Sequence, residues 1–324
     1  MRILVLGGTV FVGRHFAQLA IAAGHDVTIF HRGSKGPGLI PGAHEVLGNR
    51  DGGLDALGEE TWDAVIDTCG YVPRAVGQSV SFLQGRVKQY LFISTISVYD
   101  FAGKERLDEE STILTLTDPS VEEITGETYG GLKALCEQEV VGQFGENACI
   151  LRPGLIVGPF DPSNRFTYWV DRVARGGRFL VPQRLKQPMQ LIDVRDLADF
   201  MLKCVFDGVN GTMNVCGPDR PKTFGDMIEA CRTLNPSATL VARNEEFLKE
   251  NGIELWQELT LALPFSGESD AMLRTDNSKA IQAGLTFRSW EETATATLAW
   301  RRTISDDGPF THGLDPAKEA RALN

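Results

Sequence analysis

The sequence is poor in the features that define several classes of protein. None of its six cysteines, Cys69, Cys136, Cys149, Cys204, Cys216 and Cys231, forms a CxxC pair, and most sit inside apolar runs. That argues against a disulfide framework and for buried free thiols in a reducing compartment. The histidines, His15, His25, His31, His44 and His312, have no metal-ligand spacing, so no metal is expected. Positive charge is scarce: 32 Lys and Arg face 43 Asp and Glu, for a net charge of -11. Phosphate contacts need clustered Lys and Arg, so no nucleic acid is expected as a partner. No apolar run approaches the ~20 residues of a membrane span. The chain starts directly with strand-like residues, without the pattern of a signal peptide. The expected setting is cytoplasmic, with a small-molecule substrate and no membrane; the sequence leaves a homodimer open.

What is present begins at the first residue. Ile3-Leu4-Val5-Leu6 is an apolar run of the kind that makes a buried parallel strand. Gly7-Gly8-Thr9 breaks it. From Phe11 to Ala23 apolar residues recur at helical spacing, Gly24 ends that pattern, and Val27-Thr28-Ile29-Phe30 is a second strand. Strand, glycine turn, helix and strand form the unit that sets a dinucleotide pyrophosphate on a helix N-terminus. Gly7, Thr9, Phe11, Val12 and Gly13 are its candidate contacts. The middle glycine of the usual fingerprint is replaced by Val10, a branched side chain that either crowds the phosphates or points away.

Further along, strands are expected at Gly42–Leu47, Asp63–Asp67, Gln89–Thr95 and Ala148–Leu151, with helices at Pro73–Leu83 and from Tyr129 to about Phe144. This alternation implies a doubly wound parallel α/β sheet. Ligands bind such sheets at the carboxyl ends of the strands, where Thr9, His31, Asn49, Thr68 and Thr95 fall. Ser97 to Glu127 is a long polar connection, and loops of that length are commonly functional or mobile. After Arg152-Pro153-Gly154, Leu155 to Pro159 reads as a turn-rich exit. Helices follow at Arg165–Ala174, Val194–Phe206 and Thr223–Leu234, the last capped by Thr223, with strands at Met189–Ile192 and Thr212–Val215. The expected division is a dinucleotide-binding sheet over 1–160, rejoined at about 189–217, and a mainly substrate-binding lobe over 161–324.

A second motif is Tyr129-Gly130-Gly131-Leu132-Lys133. Tyr and Lys four apart share one helix face. An ammonium near a phenol lowers its pKa, which suits the phenol to exchange a proton with a substrate oxygen. Alone the pair is a weak signal, common on surface helices. Thr95, ending the fifth strand, stands where a hydroxyl can polarise the same oxygen.

With these pieces the chain resembles the short-chain dehydrogenase/reductase superfamily, in its extended or atypical branch with the NAD-dependent epimerase/dehydratases. The matching stretches are Gly7 to Gly13, Ile93 to Tyr99, Tyr129 to Lys133, Arg152 to Pro159 and Asp193 to Ala198, in family order over about the first 220 residues. The resemblance implies a Rossmann fold with Tyr129 as general acid/base, Lys133 holding the nicotinamide ribose and tuning Tyr129, and Thr95 orienting the reacting oxygen. It implies a nicotinamide near Pro153, an adenine near Asn49 and Arg50, and Thr68, Cys69 and Gly70 passing beside the cofactor. Arg165 and Gln190 are candidates to face substrate, with a surface helix charge the preferred reading of Arg165.

The cofactor can be argued from charge. NAD users commonly end the second strand with an acid for the ribose hydroxyls. Here Phe30 is followed by His31-Arg32, and a guanidinium suits a 2′-phosphate, so NADP is favoured over NAD. The dehydratases of the family often follow the strand-ending Thr with Asp-Glu; Ile96 and Ser97 stand there instead, which argues against that elimination. Epimerase chemistry and simple carbonyl/alcohol redox chemistry both remain, with a tilt towards a reductase. The GGTxFxG form also resembles an atypical subgroup that includes chloroplast stem-loop RNA-binding proteins. A non-catalytic RNA- or protein-binding role is therefore the alternative, opposed by the retained Thr95, Tyr129 and Lys133 and by the acidic charge.

Overall fold

The computed structural model describes residues 1–36, 38–264, 270–304 and 312–324. The first strand, β1 (Arg2–Leu6), is buried from Ile3 onward. Successive side chains in a strand point to opposite faces. Ile3 and Val5 accordingly enter one core and Leu4 and Leu6 another, on the two sides of the sheet. Helix α1 (Phe11–Ala22) follows, burying Gly13, Phe16, Ala17 and Ala20. Then come β2 (Asp26–His31), β3 (His44–Leu47), β4 (Trp62–Asp67), α2 (Pro73–Leu83), β5 (Val87–Ile93), α3 (Tyr129–Phe144) and β6 (Ala148–Pro153).

Beyond β6 the elements are shorter: β7 (Leu155–Val157), α4 (Arg165–Ala174), β8 (Arg178–Pro182), β9 (Pro188–Met189), β10 (Leu191–Asp193), α5 (Val194–Asp207), β11 (Gly211–Val215), β12 (Lys222–Thr223), α6 (Phe224–Arg232), β13 (Thr239–Arg243), α7 (Glu245–Glu250), α8 (Ser278–Gln282), α9 (Trp290–Arg301) and α10 (Pro316–Leu323). Thr223 caps α6 in a reciprocal capping box with Asp226, as its position before the apolar run led us to expect.

Seven strands form one sheet in the order β11-β6-β5-β4-β1-β2-β3, every pair parallel. This is the Rossmann-type α/β fold. The order reverses between β1 and β4, and sheets of this kind bind ligands beyond the carboxyl ends of the strands at such a switch. Register fixes what meets there: Leu6 lies beside Phe30 on one side and Asp67 on the other, so Gly7, His31 and Thr68 follow in adjacent positions. A third core, with Phe166, Tyr168, Trp169, Phe179, Phe224 and Trp290, lies among the elements after β6.

Two differences from the sequence reading lie in this later region. Leu155–Val157, expected as a turn-rich exit, is a strand, because it pairs in parallel with Leu191–Asp193. The parallel pair β8 and β13 went unread, since each segment becomes a strand only by meeting the other across a long interval of chain.

Candidate active site

The glycine turn is shaped by what it touches. Gly7 has φ of 105°, and a Cβ on it would stand 2.6 Å from Thr68 Oγ1. A Cβ on Gly13 would stand 2.7 Å from the Gly8 nitrogen. These positions admit no side chain, so α1 starts tightly against the end of β4. Thr68 donates its hydroxyl to the Leu6 carbonyl at 3.0 Å, tying the two strand ends together.

Val10 has extended backbone, φ -130° and ψ 142°, which any residue adopts, and it offers α1 no side-chain cap. The first-turn N–H groups of α1 are therefore left for a ligand. Val10 is 44% exposed and lines a cavity of about 440 Å³ together with Thr9, Phe11, Arg14, Lys35 and Phe160. Arg14 lies over the Phe160 ring at 4.0 Å, and His15 Nε2 is 3.0 Å from the Pro159 carbonyl, so α1 is also tied to the segment after β7.

Thr95 follows β5 and is buried, its hydroxyl accepting the Ser97 N–H at 3.1 Å and donating to Ser97 Oγ at 3.1 Å. Tyr129 opens α3, with its phenol near enough to Thr95 for that side chain to act on its titration. The helix reaches this position because Gly130 packs on the Ser97 carbonyl and Gly131 on Leu116, where a Cβ on either would overlap its neighbour. Burial raises the Tyr129 pKa, and the nearby Thr95 side chain offsets part of that rise.

This corrects the expectation that the Lys133 ammonium lowers the phenol's pKa. Lys133 is engaged elsewhere: Nζ donates to the Gly70 carbonyl at 2.6 Å and the Ile93 carbonyl at 2.8 Å, and lies 3.9 Å above the Phe92 ring. Burial pushes its pKa down to about 8. An ammonium has three donors, and the two carbonyls take two of them.

The remaining candidates divide. Gly70 and Cys69 do form the turn after β4, and Pro153 is buried at the end of β6. Asn49 is exposed after β3. Arg50, expected on the adenine side, instead turns inward: it pairs with buried Asp67 through Nη1–Oδ1 at 2.7 Å and Nη2–Oδ2 at 2.8 Å, and also donates to Ser79. An arginine fork matches a carboxylate better than it matches water at this depth. His31 is buried, with Nδ1 accepting the Gly33 N–H at 3.2 Å, so its ring shapes the turn after β2. Arg32, next to it, is exposed.

Gln190 clamps the Thr275 backbone in both directions, at 2.9 and 2.8 Å, which is a structural task. Arg165 is not the surface charge preferred from sequence: it is half-buried, 3.1 Å from Ser163 Oγ and over the Trp256 ring. Among the described residues no His, Cys, Asp and Glu cluster could hold a metal, and no helix is long and apolar enough to cross a membrane. All six cysteines are free thiols, Cys69 partly exposed and the others buried.

Sequence reasoning missed Asp67, Ser97 and Tyr71. Asp67 had a signal, a carboxylate closing the buried apolar run Ala64–Ile66. Tyr71 is 45% exposed. Its ring lies 5.5 Å from the Lys133 ammonium. A buried chain from Glu137 through Arg152 (2.9 and 2.6 Å) to Tyr99 (2.8 Å) and Asn214 (2.8 Å) locks α3 to β6, to the segment after Thr95 and to β11.

Fold, motif order and strand-end residues are similar to those of the short-chain dehydrogenase/reductase superfamily. The model of the NAD dependent epimerase/dehydratase family matches residues 79–216. The Campylobacter jejuni UDP-Glc/GlcNAc 4-epimerase superposes with a TM-score of 0.68 at 16% identity, covering 94% of this chain and 99% of that one. The Bordetella bronchiseptica enzyme WbmH, solved in complex with NAD+, gives 0.67 at 17%, with 94% and 99% covered. Vestitone reductase from alfalfa gives 0.66 at 18%, with 93% and 98% covered. At such identities the likeness concerns the fold. Among curated proteins, chloroplast stem-loop binding protein of 41 kDa b from Arabidopsis thaliana is 28% identical over 250 residues, 71% of this chain. The match spans 62% of that protein's length.

Proposed function

We propose that this protein is an NAD(P)-dependent oxidoreductase or epimerase acting on a small hydroxyl or carbonyl compound, with sugars and sugar nucleotides the leading class. The observation that carries the reading is the Tyr129 phenol set against the Thr95 hydroxyl, with the buried Lys133 ammonium on the same helix. The site suits a dinucleotide: a glycine turn with no room for a Cβ, uncapped first-turn amides, and a buried lysine ammonium. A bound nicotinamide supplies the hydride acceptor or donor. Thr95 then orients the substrate oxygen and Tyr129 gives or takes its proton. Its raised pKa keeps Tyr129 protonated near neutrality, which suits it to act as an acid towards a carbonyl. Gly7, Thr9, Phe11, Val12 and Gly13 would hold the pyrophosphate, and Lys133 the ribose. Residues 161–324 would mainly hold the substrate.

NADP is the favoured cofactor, because Arg32 is exposed at the end of β2 and no acid stands there. Ile96 is buried and Ser97 is bonded to Thr95, so neither takes the part of a dehydratase carboxylate. Reductase chemistry releases the cofactor each turnover, whereas an epimerase retains it. Analysing the nucleotide that co-purifies separates the two. Turnover by Tyr129→Phe equal to wild type on an identified substrate would refute the role of Tyr129.

The similarity to a stem-loop binding protein favours a second reading, a non-catalytic RNA-binding role. Salt-sensitive RNA binding without dinucleotide binding would establish it.

A further inference from the structure

Two buried groups beside Lys133 have no part in the mechanism above, and their geometry bears on it. Asp67 is fully buried at the end of β4. Its Oδ1 accepts from Arg50 Nη1 at 2.7 Å and from the Cys69 N–H at 3.1 Å. Its Oδ2 accepts from Arg50 Nη2 at 2.8 Å and from the Tyr90 hydroxyl at 2.8 Å. Arg50 spreads further, to Ser79 Oγ at 2.9 Å and Cys69 Sγ at 3.5 Å. The pair thus grips the start of the turn from Thr68 to Tyr71. The same turn presents the Gly70 carbonyl that receives Lys133 Nζ at 2.6 Å. Its shape is confined from outside as well: a Cβ on Gly70 would meet Phe92 at 2.5 Å, Val76 at 2.8 Å and Asp67 Oδ2 at 3.1 Å.

We propose that Arg50 and Asp67 are positioning residues for Lys133: their buried ion pair holds the Thr68–Tyr71 turn in the shape that offers the Gly70 carbonyl to the Lys133 ammonium, and so aims its remaining donor into the crevice. The cofactor-binding consequence rests on the dinucleotide reading above; the effect on Lys133 itself does not. The pair explains why a lysine this deeply buried retains a fixed direction. Its two charges also act oppositely on the ammonium, Asp67 favouring it and Arg50 opposing it. The other ionisable groups facing Lys133 are Cys69 and Tyr71 on the turn and Cys136 and Glu137 on its own helix, with Glu137 neutralised by Arg152.

The test is the titration of Lys133 in the cofactor-free protein, followed by 13Cε-lysine NMR, with the resonance assigned by its loss in Lys133→Met. In Arg50→Gln the midpoint should move up by about one pH unit or more, because an unbalanced carboxylate then faces the ammonium. In Asp67→Asn it should move down by about as much. The double variant Arg50→Gln/Asp67→Asn removes both opposing charges, so its midpoint should stay between the two, near wild type, while its NADPH affinity falls; that affinity carries the test if either single variant fails to fold. NADPH binding, measured by tryptophan fluorescence, should weaken by about tenfold or more in Arg50→Gln as the turn loosens. Single variants that fold yet leave the midpoint in place, or move it in the same direction, would overturn the proposal, as would a double variant with the wild-type midpoint and wild-type affinity. If the midpoints move as stated but no variant nor wild type binds NADPH, the placement of Lys133 stands and the dinucleotide reading fails.

Discussion

Gly130 lies so close to the Ser97 carbonyl that a Cβ there would overlap the oxygen. This contact brings the start of α3 against the segment after β5, and with it Tyr129 against Thr95. Gly130→Ala should therefore push α3 back, with a loss of about 1–3 kcal/mol in stability and a drop in turnover larger than that loss explains. Gly142 on the same helix has open space around it. Gly142→Ala should instead stabilise the protein by up to about 1 kcal/mol and leave turnover unchanged. Thermal unfolding and steady-state rates on the two variants check both.

Tyr129→Phe should lower turnover by about 10²–10⁴-fold while leaving dinucleotide affinity close to wild type. Because burial raises the phenol's pKa, wild-type carbonyl reduction should be insensitive to this group near neutrality. Alcohol oxidation, which needs the phenolate, should rise with pH. Rate profiles in both directions, with the Phe variant losing the rise, check the assignment.

Lys133 gives a second pH dependence with a definite sign. Its ordinary pKa is 10.5, and burial brings it to about 8 in the fold. Between these values the unfolded chain holds a proton that the folded one has released, so this group makes stability rise with pH across that window. Below the folded value its burial cost is felt in full. Cofactor affinity should move the other way, falling as pH climbs through about 8 and the charged donor is lost. Denaturant unfolding and NADPH titration between pH 7 and about 10 should show opposite trends, and Lys133→Met should show neither.

The Arg152–Glu137 pair is buried at both ends, with side chains 7% and 8% exposed. Arg152→Met leaves Glu137 without its cation and should cost about 3–5 kcal/mol. Replacing both by Met and Leu should recover much of that loss, since a well-packed apolar pair is often no less stable. Chemical denaturation of the single and double variants provides the comparison.

Much of the framework was legible in the sequence, and the reasons are local. Pro73 at a first helical position and the apolar spacing after it mark α2 from Pro73 to Leu83, as found. The aromatic stripe of α4 marks Arg165–Ala174 in the same way. The apolar run of β1 and the β-branched and aromatic run of β2 read as buried strands. The motif residues Thr95, Tyr129 and Lys133 do converge at the sheet's carboxyl edge. What could not be read depends on partners far away in the chain. Leu155–Val157 is a strand only because Leu191–Asp193 lies beside it. Arg50 turned inward because Asp67 waits at the end of another strand, and the spacing of charges along the chain does not record that meeting. Lys133 shares a helix face with Tyr129, yet the Gly70 and Ile93 carbonyls hold it. A shared face gives proximity; the hydrogen-bond acceptors in the fold decide direction.

The cofactor choice rests on Arg32, exposed after β2. Arg32→Ala should weaken NADPH binding by about tenfold or more and leave NADH binding unchanged. Equal affinities for both cofactors in wild type, with no effect of the substitution, would remove the argument for a 2′-phosphate partner.

The central claim is that the crevice at the switch between β1 and β4 binds a dinucleotide for use by Tyr129. Calorimetric titration of the full chain with NADPH, NADH and a stem-loop RNA tests it most directly. Saturable one-site binding of NADPH is expected, tighter than that of NADH and weakened in Lys133→Met, with no specific RNA binding. Absence of binding by either dinucleotide, together with salt-sensitive binding of the RNA, would contradict it.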